Sequence, residues 1–133
     1  MSSHAEEYRI VLGELYPLPI CDVSLLGPKG RVEVRALVDS GATFSVFPES
    51  AAKDAGIQLP VWPNFPIQYG SGVEKGRKIE VVLTMFEMRL RADVVFVERL
   101  PYRFALVGRI CVFSKFKEVS FLEQAKPQLR FCW

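Results

Sequence analysis

The feature that most constrains the fold is a succession of short β-type segments separated by turns that contain glycine or proline. Residues 19–27 and 30–39 alternate and are rich in β-branched side chains, and the turn Gly27-Pro28-Lys29-Gly30 between them predicts a hairpin. Further strands are predicted within residues 8–16, 44–48, 67–86, 88–98, 102–108 and 119–133. Short helices are predicted at 49–57, ending near Gly56, and within 109–118. This pattern predicts an all-β domain with one or two short helices, either a barrel or a sandwich.

Length and charge indicate one domain and do not favour a nucleic-acid partner. The 133 residues suit a single compact domain, and we expect a flexible N-terminal tail over residues 1–7 before a folded domain over residues 8–133. The net charge is only +2 and the charges are spread along the chain. The N-terminus is polar rather than a signal sequence, and no apolar run approaches the roughly 20 residues that span a bilayer. We therefore expect a soluble, cytoplasmic protein without a membrane partner.

The histidine and cysteine content argues against several classes of catalytic mechanism and metal site. His4 is the only histidine and lies in the polar N-terminal segment, which argues against Ser-His, Cys-His and histidine–metal mechanisms. Cys21, Cys111 and Cys132 are odd in number, widely spaced and without a C-x-x-C pair, so we expect three reduced thiols. The sequence predicts neither a metal site nor a cofactor.

An acidic residue ends one of the strands that is predicted to be buried. In "ALVDSGAT" the apolar run 36–38 is followed by Asp39, Ser40, Gly41 and Ala42. A carboxylate in such a place is costly unless it is hydrogen-bonded, paired or protonated. By itself, however, D-S-G is typical of an ordinary turn, in which glycine permits backbone geometry that a Cβ would hinder.

A catalytic role for Asp39 would require a second carboxylate. Two carboxylates that share one proton can activate water at a peptide bond, because one accepts a proton from water while the other donates to the substrate carbonyl. The chain contains only one D-[ST]-G sequence. The second carboxylate would therefore come from another copy of the chain, across a two-fold axis.

Three features, in the same order along the chain, resemble the retropepsin-like aspartic proteases. The segment "ALVDSGATFSVFP" is similar to the active-site segment of that family, and "FALVGRICVFSKF" is similar to its second signature, a strand ending at Leu106-Val107-Gly108 before a short helix. Between them, "QYGSGVEKG" lies where the family places a β-hairpin flap over the cleft. The resemblance covers residues 8–133 and implies a closed barrel of the acid-protease fold, one lobe per chain, of a cellular or prokaryotic type.

The resemblance also implies roles for individual residues. Asp39 would be the catalytic aspartate, and Ser40 would hydrogen-bond across the dimer axis. Gly41 would approach the substrate backbone, with Ala42 packed behind it. The flap tip that closes over the substrate would consist of Tyr69, Gly70, Ser71 and Gly72. The implied function is an aspartic endopeptidase that acts as a homodimer on a peptide or protein substrate, with the terminal segment "QLRFCW" contributing to the dimer sheet.

The sequence departs from the viral members of the family at three places. Thr43 stands where they commonly have an acidic residue, and Ile110 follows Arg109 where they tend to have Asn or Asp. These two changes put a brace between an arginine and a carboxylate in doubt. Ser40 in place of threonine removes a methyl group from the interface, which favours weaker dimerisation.

The sequence is also compatible with two other functions. The first is a catalytically weak or inactive retropepsin-like module for dimerisation or peptide binding, although such a module has no need for an acid at position 39. The second is a small monomeric β-barrel in which D-S-G is only a turn.

Overall fold

The computed structural model describes residues 1–69, 72–100 and 103–133. The described residues form ten β-strands, one α-helix and one short 3-10 helix. In chain order these are β1 (Ser3–Glu7), β2 (Ile20–Gly27), β3 (Gly30–Val38), β4 (Ser45–Pro48), α1 (Glu49–Ala55), β5 (Phe65–Tyr69), β6 (Gly72–Met85), β7 (Met88–Val97), β8 (Ala105–Val107), the 3-10 helix (Phe113–Lys115), β9 (Glu118–Leu122) and β10 (Gln128–Cys132).

Six of the strands close into a barrel. Their order is β2-β3-β8-β4-β7-β6, and β6 returns to β2 through an antiparallel pairing from Ser24↔Thr84 to Leu26↔Val82. Two of the contacts are parallel, β3 with β8 and β4 with β7, while β4 meets β8 in the antiparallel sense at Val46↔Leu106. β5 lies outside the barrel as the first strand of a hairpin with β6. The predicted all-β barrel is confirmed.

Strand β7 separates two apolar clusters. Leu90, Ala92, Val94 and Phe96 point into the barrel core, as the period of two in a strand requires. The intervening Val95 and Val97 are also fully buried, but they belong to another apolar cluster, which we call the second cluster. Its buried members are Val46, Val95, Val97 and Leu106, and the partly buried side chains packed against them are Leu37, Ala42, Phe44, Phe65, Ile67 and Leu100. The second half of β7 is therefore buried on both faces, which explains why the sequence there is apolar at every position.

The predicted first helix is confirmed and the predicted second helix is not. Helix α1 ends at Gly56, whose φ of 75° lies in the left-handed region that glycine adopts without steric cost. Within residues 109–118, the structure has turns and only the short 3-10 helix. The apolar side chains of this segment pack as a turn because Val112 and Phe116 both reach the barrel core.

The N-terminus differs from the flexible tail that we expected over residues 1–7. β1 pairs along its length with β10, from Ser3↔Cys132 to Glu7↔Gln128, and β9 pairs with the other edge of β10. The ring of His4 also stacks on Phe86, with ring centroids 4.0 Å apart. Backbone hydrogen bonds order this polar segment, and amino-acid composition is a poor predictor of such pairing. Both edges of β10 are thus occupied within one chain, and β1 and β9 are the outer strands of this three-stranded sheet. A contribution of the "QLRFCW" segment to a dimer sheet stays a prediction.

The strand predicted within residues 8–16 is wrong. Only Arg9 forms a β-bridge there, with Leu18, and the residues between them form a loop. Gly13 in this loop has a φ of 91°, a value that interrupts an extended strand.

The buried thiol of Cys21 provides a test of the barrel core. Burial, followed by the charge of Glu6, raises the pKa of Cys21 to about 12, whereas Cys111 and Cys132 are partly exposed. We predict that in the native protein a thiol-alkylating reagent at about pH 9 labels the partly exposed Cys111 and Cys132 but not Cys21, whose thiol is buried and stays protonated, since the thiolate is the reactive form. Mass spectrometry of the labelled peptides measures this, and denaturant should make all three equal.

The raised pKa of Cys21 also predicts that the free energy of unfolding falls at alkaline pH. The unfolded thiol ionises near its ordinary pKa of about 8.5 while the folded thiol stays protonated, so the stabilising contribution is present below that pH and is lost as the pH rises toward 12. Labelling of native Cys21 as fast as Cys132 would contradict the packing described here.

Candidate active site

Asp39 lies at the end of β3, where the chain makes a tight turn that we call the DSGA loop (residues 39–42). The Asp39 backbone N–H donates to the Val107 carbonyl at 3.0 Å, and the Ala42 N–H donates to the Asp39 carbonyl at 3.1 Å. The Gly41 N–H donates to Asp39 Oδ1 at 2.8 Å. A Cβ on Gly41 would lie 3.2 Å from that same oxygen, which supports the prediction that position 41 favours glycine. The carboxylate is thus held in place by the backbone of its own loop.

The segment Leu106-Val107-Gly108 is joined to the DSGA loop by hydrogen bonds. The Arg109 N–H donates to the Ala42 carbonyl and the Ile110 N–H donates to the Thr43 carbonyl, both at 2.9 Å. Gly108 has no room for a side chain, because a Cβ there would lie 2.6 Å from the Phe44 carbonyl oxygen and 2.7 Å from that of Ala42. Backbone hydrogen bonds therefore hold these two segments together.

Ser45 is a site residue that the sequence analysis did not single out. Its side chain is completely buried, and its Oγ accepts the Gly108 N–H at 3.0 Å. Without that hydroxyl, the Gly108 N–H would be buried without this partner. The available signal was a serine inside the apolar run "FSVF", where a polar side chain needs a reason to be buried.

A cavity of about 410 Å³ opens beside Asp39. Asp39 is the acidic residue in its wall, and the other lining residues are a mixture of apolar and polar ones. The wall is formed by the DSGA loop and its continuation, by β5 and by Leu106 of β8, with these lining residues: Asp39, Gly41, Ala42, Thr43, Phe44, Val46, Phe65, Pro66, Ile67, Gln68 and Leu106. The apolar part of the wall belongs to the second cluster, the one behind β7.

The β5–β6 hairpin covers one side of this cavity. The ring of Phe65 meets that of Phe44 edge to face, with centroids 4.7 Å apart, and Lys78 Nζ lies 4.5 Å from the Phe65 centroid. Arg77 fixes the base of the hairpin to helix α1 through an ion pair with Glu49 at 2.7 Å. The base of the hairpin is thus anchored on both faces of β6.

Tyr69 and Gly72, two of the predicted flap residues, lie at the far end of this hairpin. The backbones of Tyr69 and Gly72 pair across its last described position, and Gly72 is exposed. Gly70 and Ser71 lie outside the described residues. The structure therefore contains a hairpin where the flap was predicted, while the contacts of its tip with a substrate stay a prediction.

The end of the barrel that carries the DSGA loop is exposed to solvent, and we call it the open edge. Ser40, Gly41 and Arg109 are exposed, and Ile110 is 46% exposed. Among the residues that line the cavity there is no second carboxylate. Within the described parts of the chain, no group of three His, Cys, Asp or Glu side chains is placed to hold a metal ion, and no helix there is long and apolar enough to cross a membrane.

A family model described as aspartyl protease matches residues 23–97, more than half of the chain. The chain belongs to the aspartyl protease family. Its matched region includes β7, the DSGA loop and the β5–β6 hairpin, and the last two contribute lining residues to the cavity described above. No curated protein matches the sequence.

A solved retroviral enzyme of this kind has the same fold. The structure of EIAV protease complexed with the inhibitor HBY-793 superposes with a TM-score of 0.57 at 15% sequence identity, covering 74% of this chain and 88% of that one. The aspartyl protease described here therefore has the retropepsin-like fold, a closed six-stranded barrel with one short helix.

Removal of the Ser45 hydroxyl tests how the site is held together. We predict that Ser45→Ala lowers the free energy of unfolding by about 1–3 kcal/mol, because it leaves the Gly108 N–H buried without its acceptor. Urea unfolding of the purified protein measures this. The control is Ser114→Ala, at an exposed position, which should change stability by less than about 0.5 kcal/mol. Equal effects of the two substitutions would contradict the role given to Ser45.

Proposed function

We propose that this aspartyl protease is an endopeptidase that hydrolyses peptide bonds with a water molecule held between two Asp39 carboxylates, one from each chain of a homodimer. The observation that supports this most is the placement of Asp39. It is a backbone-anchored carboxylate that lies in the wall of a cavity, on the open edge of the barrel. We assign the activity to one domain over residues 8–133, to which β1 adds an edge strand.

The proposed reaction needs both carboxylates in different protonation states. The ionised carboxylate accepts a proton from water as the water oxygen bonds to the peptide carbonyl carbon, and the protonated carboxylate donates its proton to the carbonyl oxygen. The carboxylate that took the proton from water then donates it to the nitrogen as the C–N bond breaks, and the other carboxylate takes a proton back from a hydroxyl of the tetrahedral intermediate. These transfers yield a carboxylic acid and an amine and restore both carboxylates. Neither step requires a metal or a cofactor.

The remaining predicted residues would support this reaction. Ser40, exposed on the open edge, would hydrogen-bond to its counterpart across the two-fold axis, and Gly41 would contact the substrate backbone. An extended peptide would lie as an added strand between the cavity wall and the β5–β6 hairpin. Tyr69, Gly70, Ser71 and Gly72 would then close over it and exclude water.

The alternative function is a catalytically weak or inactive module for dimerisation or peptide binding. The exchange of threonine for serine at position 40 favours weaker association of the two chains. Nevertheless, a binding module gains nothing from a carboxylate in the cavity wall, since any acid there must be stabilised by its surroundings.

The substitution Asp39→Asn tests the proposal. We expect the wild-type protein to cleave members of a diverse peptide pool at some pH between acid and neutral, and Asp39→Asn to lose at least about a thousandfold in rate, because the amide cannot take or give the proton. Mass spectrometry of the products measures cleavage.

The matched control is Asp54→Asn, which removes an exposed acid on helix α1, away from the cavity wall, and should leave the rate unchanged. Cleavage by Asp39→Asn at the wild-type rate would refute the mechanism. A wild-type protein that forms dimers and binds peptides but cleaves none across this pH range would establish the alternative.

A further inference from the structure

Four large apolar side chains are exposed on one short loop, which we call the apolar loop (residues 10–16). The exposed fractions are 89% for Ile10, 90% for Leu12, 92% for Leu15 and 77% for Tyr16. Isolated exposed apolar residues are ordinary, but a local group of large ones typically marks a surface that binds another molecule.

The apolar loop is anchored at its base. The backbones of Arg9 and Leu18 exchange hydrogen bonds of 2.8 and 2.9 Å. Val11 points inward and packs with Ile20 and Phe104, while Arg103 donates from its guanidinium to the Leu12 carbonyl at 2.7 Å. Because these contacts fix the loop, the exposure of its other apolar side chains is a property of the folded protein.

The base of the apolar loop lies beside the end of β3 that leads to Asp39. The chain leaves the loop at Leu18, and the next residue, Pro19, accepts the Val38 N–H at 2.9 Å, directly before Asp39. The side chain of Leu37 packs both against the residues that anchor the loop and against the second cluster, which lines the cavity. The anchored base of the loop is therefore continuous with the wall of the candidate active site.

We propose that the apolar loop packs against a second copy of this chain, in the same two-fold interface that would pair the two Asp39 carboxylates. This inference rests on the proposed function. The site on this edge lacks its second carboxylate, so the molecule that completes it must approach the edge beside the loop. By symmetry each interface would bury two apolar loops.

Two further features favour a second copy as the occupant. The edges of β10 are already filled by β1 and β9 within one chain, so direct strand pairing of a second copy at β10 would have to displace one of them. Ile110, which is 46% exposed and joined by its backbone to Thr43, adds apolar area on the open edge itself. Burial of several large apolar side chains removes far more apolar surface from water than the one methyl group that Ser40 lacks.

Polar substitution of the apolar loop tests this interface. We expect sedimentation equilibrium of the full chain to show a dimer, and the double substitution Leu12→Ser with Leu15→Ser to raise its dissociation constant at least about tenfold. The matched control is Val61→Ser with Trp62→Ser, because these apolar side chains are 76% and 80% exposed on a different loop. The control should dissociate like the wild type.

The outcomes separate this inference from the proposed function. If the wild type and the loop variant dimerise equally well, or if the loop variant and the control weaken equally, the role of the apolar loop is refuted. Cleavage that depends on Asp39 would still stand in that case. If the wild type stays monomeric at the highest attainable concentration, the interface and the shared pair of carboxylates are both refuted.

A second measurement avoids any dependence on the stability of the variants. A photoreactive benzoylphenylalanine in place of Leu15 should produce a crosslinked dimer on irradiation, and the same group in place of Trp62 should not. Absence of the crosslink at position 15, in a sample that is dimeric by sedimentation, would overturn the assignment of this loop.

Discussion

The candidate site depends on the hydrogen bonds that join the DSGA loop to the end of β8. Asp39 is bonded to Val107, Ala42 to Arg109, and Ser45 to Gly108, so two segments far apart in sequence behave as one unit. Backbone groups that are buried in this way must find partners, and here they find them in each other. The exclusion of a side chain at Gly108 follows from the same contacts, because the carbonyl oxygens of Ala42 and Phe44 occupy the space.

The cavity depends on a second constraint, the burial of β7 on both faces. One face fills the barrel and the other faces the second cluster, so the barrel core and the wall of the cavity are built on a single strand. The β5–β6 hairpin packs over that second cluster through Phe65 and is fixed to α1 through Arg77. The apolar part of the wall beside the anchored carboxylate is therefore a consequence of how the barrel closes.

The sequence was informative where a local pattern determines the structure. The hairpin turn at 27–30, helix α1 with its terminal Gly56 and the DSGA turn were all predictable from local residues, and the family resemblance located Gly108. Contacts between distant segments were less predictable. β1 is polar and pairs through its backbone, and the importance of Ser45 depends on an N–H donor that lies 63 residues away. The segment 8–16 has strand-like composition, yet Gly13 and the anchoring of Val11 turn it into a loop.

The central claim is that one chain holds only half of the active site. It is tested most directly by mixing wild-type chains with Asp39→Asn chains at a constant total concentration, after allowing the dimers to exchange, and measuring peptide cleavage. If both carboxylates are required and the chains pair at random, the rate should follow the square of the wild-type fraction. A rate proportional to the wild-type fraction itself would mean that each chain acts alone, and would contradict the account.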